Sequence, residues 1–158
     1  MRQQIGVALG IVTNLKDPQG EGRIKVKFTS FQDGGPESAW AAIAAPLAGG
    51  SRGMLFMPEK DDEVLLAFDR GDFDHPYVIG FLWNGVDKPP ESNPKNRVIL
   101  TPGGHTLRFE DGDNAKKIVL KSSGGLEIIL DDNTASPSIQ LNGGGRSLVL
   151  KDGQVQIS

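Results

Sequence analysis

Apolar side chains in this chain recur at every second position, in short runs broken by turn residues, and no stretch shows a helical period. Residues 23–28 are the clearest case. Ile24, Val26 and Phe28 alternate there with Arg23, Lys25 and Lys27, the pattern of a strand with one buried and one solvated face. Residues 5–14 predict an earlier strand with Gly6 and Gly10 as bend points. Residues 40–45 predict a short strand of small side chains around Trp40. The apolar run 63–68 is too short for a typical helix and predicts a buried strand, and 77–82 predicts another. The stretch 52–85 carries most of the large apolar residues, Leu55, Phe56, Val64, Leu66, Tyr77, Val78, Phe81 and Trp83 among them, and is expected to be the centre of the core. Between these runs, residues 16–22, 32–37, 46–53 and 69–76 are rich in Gly, Pro and Asp and read as turns or loops. Five or six short antiparallel strands closing on one core predict a small β-barrel of OB-fold type over residues 1–88.

The pattern then changes. Residues 89–97 form a proline-containing, polar linker that is expected to be stiff. From 98 to 158 the apolar residues come only as alternating pairs and triplets: Leu107 and Phe109, Ile118 and Leu120, Leu126 with Ile128 and Leu130, Ile139 and Leu141, Leu148 and Leu150, Val155 and Ile157. About sixty residues of this kind bury too little surface to be stable alone, and open strand edges invite association. A single-chain solenoid needs a fixed repeat. Here the spacing drifts from 11 between Leu107 and Ile118 to 7 between Leu148 and Val155. The expectation is therefore an all-β chain: an OB-fold barrel followed by a short intertwined trimeric β-helix, or β-prism, forming a needle. Leu107, Phe109, Ile118, Leu120, Leu126, Ile128, Leu130, Ile139, Leu141, Leu148 and Leu150 are the predicted trimer-packing set. The sequence ends still in the strand pattern, so Val155, Gln156, Ile157 and Ser158 are predicted to dock a protein that sits on the tip.

Composition narrows the function. A net charge of −3 with mixed signs argues against a nucleic-acid binder working through a basic face. The absence of cysteine excludes disulfides and thiolate metal sites. The most apolar window, 39–50, is short and contains Pro46, so no membrane span is expected. Residues 1–5 show no signal-peptide pattern, and the chain is expected to be made and folded in the cytoplasm.

Catalytic chemistry has little to work with. His75 precedes Pro76 in a loop and reads as structural, and His105 has no sequence partner. Glu59, Asp61, Asp62 and Glu63 read as a solvated turn rather than a carboxylate pair. Asp69, Asp72 and Asp74 have cation-like spacing but lack the glutamate an EF-hand requires. Arg70-Gly71-Asp72 spells an adhesion tripeptide in what reads as an ordinary turn. No catalytic residue, metal ligand or cofactor is predicted.

Taken as an ordered set, Trp40-Ala41, Ala45-Pro46, Arg52-Gly53, Pro58-Glu59, Asp62-Glu63-Val64, Gly71-Asp72, Pro76 to Gly80 and Asn84-Gly85 resemble the OB-fold core of the central-spike family of contractile tails. That family includes the phage baseplate assembly protein V type and the VgrG proteins of type VI secretion. Gly22-Arg23-Ile24-Lys25-Val26 extends the resemblance, which covers about the first 88 residues. Asp61 stands where the family often has a turn glycine.

The resemblance implies a non-enzymatic homotrimeric spike, seated on a hub or baseplate protein at its N-terminal end. A PAAR-type tip protein at the C-terminal end and transient contact with a target cell envelope on sheath contraction are further implications. Nucleic acid is not an expected partner. The spike would be a component of a virion tail or of an extracellular or intracellular contractile particle. Without a VgrG-type hub region the chain is expected to need a separate hub protein, and the linker has no room for a lysozyme domain. The rival reading is an OB-fold module binding an oligonucleotide or oligosaccharide, which requires aromatic rings on an exposed sheet face.

Overall fold

The computed structural model describes residues 6–30, 35–113, 116–132 and 135–158. Ile5 of the first predicted strand, residues 32–34 of the predicted loop at 32–37, and residues 114, 133 and 134 of two predicted turns lie outside the described residues. The chain divides into two compact units, Met1–Lys88 and Pro89–Ser158.

In the first unit, β1 (Ala8–Asn14), β2 (Lys25–Phe28), β3 (Ala42–Ile43), β6 (Glu63–Phe68) and β7 (Pro76–Phe81) form one sheet in the order β2-β1-β6-β7-β3. Alternation places Val26 and Phe28 of β2, Val12 of β1, Val64 and Leu66 of β6 and Val78 of β7 on the inside, where each is at most 1% exposed. Gly10 is needed on β1, because a Cβ there would meet Leu66 Cδ1 at 3.0 Å and Val26 Cβ at 3.1 Å. The core ends in an aromatic cluster, with the Phe28 and Phe73 rings 4.5 Å apart and Phe68 and Phe73 5.7 Å apart. Ile24 and Ala41 exchange backbone hydrogen bonds of 3.0 and 2.8 Å, which ties the β2 edge of the sheet to its β3 edge. A curved five-stranded sheet joined across its edges is the OB architecture.

The sequence reading needs three corrections in this unit. The predicted strand at 40–45 shrinks to Ala42–Ile43, and it pairs with β7 in parallel, not antiparallel. Within the predicted loop at 46–53 lies a small hairpin of β4 (Ala48–Gly49) and β5 (Arg52–Gly53). The stretch 52–85 is not uniformly core. Val64, Leu66 and Val78 are buried, but Leu55 is 80% and Trp83 67% exposed, and Tyr77, Ile79 and Phe81 are also exposed. For Tyr77, Ile79 and Phe81 the reason is the period of two, since each strand turns only half of its side chains inward, whereas Leu55 and Trp83 lie outside the strands.

The turn between β1 and β2 is built on one carboxylate. Asp17 accepts from Arg23 Nε (3.0 Å) and Nη2 (2.8 Å), and from the backbone amides of Gln19, Glu21 and Arg23. The Arg23 guanidinium, helped by those amides, holds the Asp17 carboxyl well below the usual carboxylate range. Asp61 has φ 75°, a left-handed conformation that explains why a turn glycine would also suit that position.

The second unit is a single antiparallel sheet of β8 (Arg97–Leu100), β9 (Thr106–Asp111), β10 (Lys116–Lys121), β11 (Glu127–Asp131), β12 (Ser138–Gly143), β13 (Arg146–Lys151) and β14 (Gln154–Ile157), ordered strictly as in the sequence. Two-residue turns close the last two hairpins. Gly144 (φ 61°) and Gly145 (φ 77°) link β12 to β13, and Asp152 (φ 53°) and Gly153 (φ 72°) link β13 to β14. Positive φ at both turn positions is what a hairpin twisted like its strands demands. Each strand thus hydrogen-bonds to its neighbours within the same chain, whereas an intertwined arrangement draws neighbouring strands from other chains. None of the described residues of this unit is fully buried.

Candidate assembly interface

The register of the second sheet aligns its apolar residues into two continuous rows. Ile99, Leu107, Leu120, Ile128, Leu141, Leu148 and Ile157 are successive cross-strand partners in one row. Phe109, Ile118, Leu130, Ile139, Leu150 and Val155 form the other, which begins on Arg97. Directly paired residues share a face, so all of these side chains stand on one side of the sheet. Leu107 and Leu148 are half-buried, and the rest are exposed, from 38% at Phe109 to 80% at Ile157. A continuous exposed apolar surface of this kind marks an interaction site.

The opposite face mixes half-buried Val98, Val119, Ile129 and Val149 with polar residues and is covered in part by its own ion pairs. Arg108 reaches Glu91 at 2.8 Å and Glu110 at 3.2 Å, and Lys117 reaches Asp131 at 2.8 Å. Lys117 and Asp131 are direct cross-strand partners, and their hydrogen bond raises the Lys117 pKa. Such pairs contribute little stability individually, but they leave this face better suited to water than the other. The sheet is therefore two-sided, with one face partly covered by ion pairs and one that has no cover within its own unit.

The residues predicted for trimer packing fall on the uncovered face: ten of them make up most of the two rows, and Leu126, 60% exposed, sits beside them with its Cδ2 2.6 Å from where a Cβ on Gly143 would stand. Val155 and Ile157 of the predicted docking strand extend the rows, while Gln156 pairs with Val149 and faces the other way. Ser158 exchanges backbone hydrogen bonds of 2.8 and 3.0 Å with Ser147. Strand β14 pairs only with β13, so its second edge is open. Sequence reasoning missed Ile99, whose place in the row was visible from its alternation with Arg97. It also missed the ion-paired face, whose signal was the recurrence of Lys, Arg, Glu and Asp between the apolar positions.

The other sequence candidates sit in turns. His75 Nδ1 lies 2.9 Å from Asp72 Oδ2, and the Asp74 amide donates to Asp72 Oδ1. His105 Nδ1 accepts from the Ser123 amide at 3.2 Å. Among the described residues no group of three or more His, Asp or Glu side chains is placed to hold a metal ion.

Residues 8–83 match the family model described as the type VI secretion system/phage-baseplate injector OB domain, so the first unit is similar to that domain. The chain is 28% identical over 123 residues to the type VI secretion system spike protein VgrG2a of Pseudomonas aeruginosa, covering 76% of this chain and 13% of that protein. It is 29% identical over 133 residues to VgrG4b of the same species, covering 72% of this chain and 16% of that protein. The actin cross-linking toxin VgrG1 of Vibrio cholerae is 24% identical over 141 residues, covering 78% of this chain and 13% of the toxin. The chain thus spans only a small part of the length of these relatives.

Proposed function

We propose that this chain is the central spike of a contractile tail or injection system and works as a homotrimer. Three copies of the second sheet pack with their apolar faces inward as the three sides of a prism, and the first unit seats the trimer on a hub or baseplate protein. The exposed edge of β14 takes a PAAR-type tip protein, and the prism punctures the target envelope when the sheath contracts. The chain is assembled in the cytoplasm as part of the particle, and no step in this role needs a catalytic group.

One observation carries the reading: one apolar row runs across all seven strands and a second across β9 to β14, and both remain largely exposed. Because strands pair within one chain, each copy supplies a whole side of the prism, and the chains meet through side chains. Stiffness then comes from a backbone ladder closed within each copy and from an apolar axis shared by three. Light scattering of the purified chain tests it. The expected mass is three times 16.9 kDa, and a monomer at micromolar concentration refutes the trimer.

A further inference from the structure

The two rims of the apolar face of the second sheet differ in charge. Continuing the alternation beyond Phe109 and Leu130 brings Asp111 and Asp132 to one rim, with Lys116 opposite Asp111, and the β13–β14 turn adds Asp152 there. Continuing it the other way brings His105, Leu126 and Arg146 to the second rim. Each rim has a hollow. Asp132 and Asp152 flank a groove of about 560 Å³ floored by Leu130, Ile139 and Leu150, with Lys151 also on its wall. Arg146 stands at a groove of about 330 Å³ beside Leu148 and Ile157. Arg146 is exposed, and no ion-pair partner is recorded for it among the described residues. Asp152 accepts from Ser136 Oγ, at 3.3 and 3.4 Å.

Resting on the trimer reading above, we infer that the Arg146 guanidinium of one copy seats between Asp132 and Asp152 of the next. The occupant of the acidic groove is thus a second copy of this chain. Strand β13 begins on Arg146 and is followed directly by Asp152, so the two groups mark opposite ends of one strand, and cyclic symmetry turns one end of that strand toward the other end in the next copy. The contact is head-to-tail, the kind that closes rings. The planar guanidinium suits two carboxylates better than an ammonium does. The apolar rows supply the association, and the rims fix which edge meets which.

The test uses the full chain in four forms: wild type, Arg146→Glu, Asp132→Arg with Asp152→Arg, and all three changes together. Far-UV circular dichroism checks the fold, and light scattering over a dilution series reads assembly. The first two variants are expected to raise the concentration at which the trimer dissociates by about tenfold or more, and the triple variant to return it close to wild type. Arg146→Gln, which only removes the charge, is expected to fall between. Unchanged single-rim variants, or no recovery in the triple variant, overturn the pairing while leaving the trimer standing; a monomeric wild type overturns the trimer itself. Mixing the two single-rim variants gives a further check. A ring of three always keeps one like-charge junction, so partial recovery is expected, and full recovery as a two-copy complex overturns the three-membered ring.

Discussion

Ile128 lies on β11, the middle strand of the seven, and is 39% exposed in the single chain. Fully burying such a side chain stabilises by about 1.5–3 kcal/mol, so covering the remaining four tenths contributes about 0.6–1.2 kcal/mol per chain. Across three copies that amounts to about 2–4 kcal/mol. Ile128→Asp removes this contribution and directs three carboxylates at one apolar axis. At about 1.4 kcal/mol per tenfold, the trimer dissociation constant should rise by a factor of about thirty at the least. Size-exclusion chromatography with light scattering, run from high to low micromolar concentration, reads the change. Gln140→Glu, on the opposite face of the neighbouring strand β12, is the control and should leave assembly as in wild type. If Ile128→Asp stays trimeric over the same dilution range, the apolar face is not where the chains meet.

Four other outcomes follow from the same structure. Gly10→Ala places a methyl against Leu66 and Val26 and should lower the stability of the first unit by about 1–3 kcal/mol, measured by chemical denaturation. Ser38→Ala removes the Oγ that accepts from the Val26 amide at 3.0 Å and should cost about 1–3 kcal/mol in the same assay, because that amide is buried. Asp17 titrates below its usual range in the folded chain, so its contribution is complete above the ordinary carboxylate pKa and is lost as pH falls through the folded value. Melting temperature should therefore drop below about pH 4, and Asp17→Asn should flatten that part of the profile. A chain ending at Lys88 should keep a cooperative thermal transition, since among the described residues every fully buried hydrophobic one belongs to the first unit.

Much of the fold was legible because most strands of both sheets keep a period of two. Ile24, Val26 and Phe28 were read as an inward set from alternation alone, and they are core. Failure came where burial is decided by neighbours in space. Leu55, Phe56 and Trp83 are as apolar as Val64, but nothing in a one-dimensional pattern says that they lie outside the strands and stay exposed. Parallel pairing of two residues in β3 is invisible for a related reason: so short an element has no period to read. In the second unit the positions of the apolar pairs were clear, while their alignment into two rows depends on hairpin register. Two-residue turns at Gly144-Gly145 and Asp152-Gly153 set that register. The drifting spacing that pointed away from a solenoid is simply a meander with turns of unequal length.

The in-order hairpin topology makes length an adjustable quantity. Inserting one further hairpin adds two strands at about 4.8 Å each, keeps both apolar rows in register and leaves every existing strand with its present neighbours or their equivalents. Adding a single strand does something different: the chain then leaves from the opposite rim, and an Asp-ended strand no longer follows an Asp-ended strand at every second level. A sheet of this kind can therefore grow or shrink only in even steps of about 10 Å, which gives the rod a ruler written in pairs of strands.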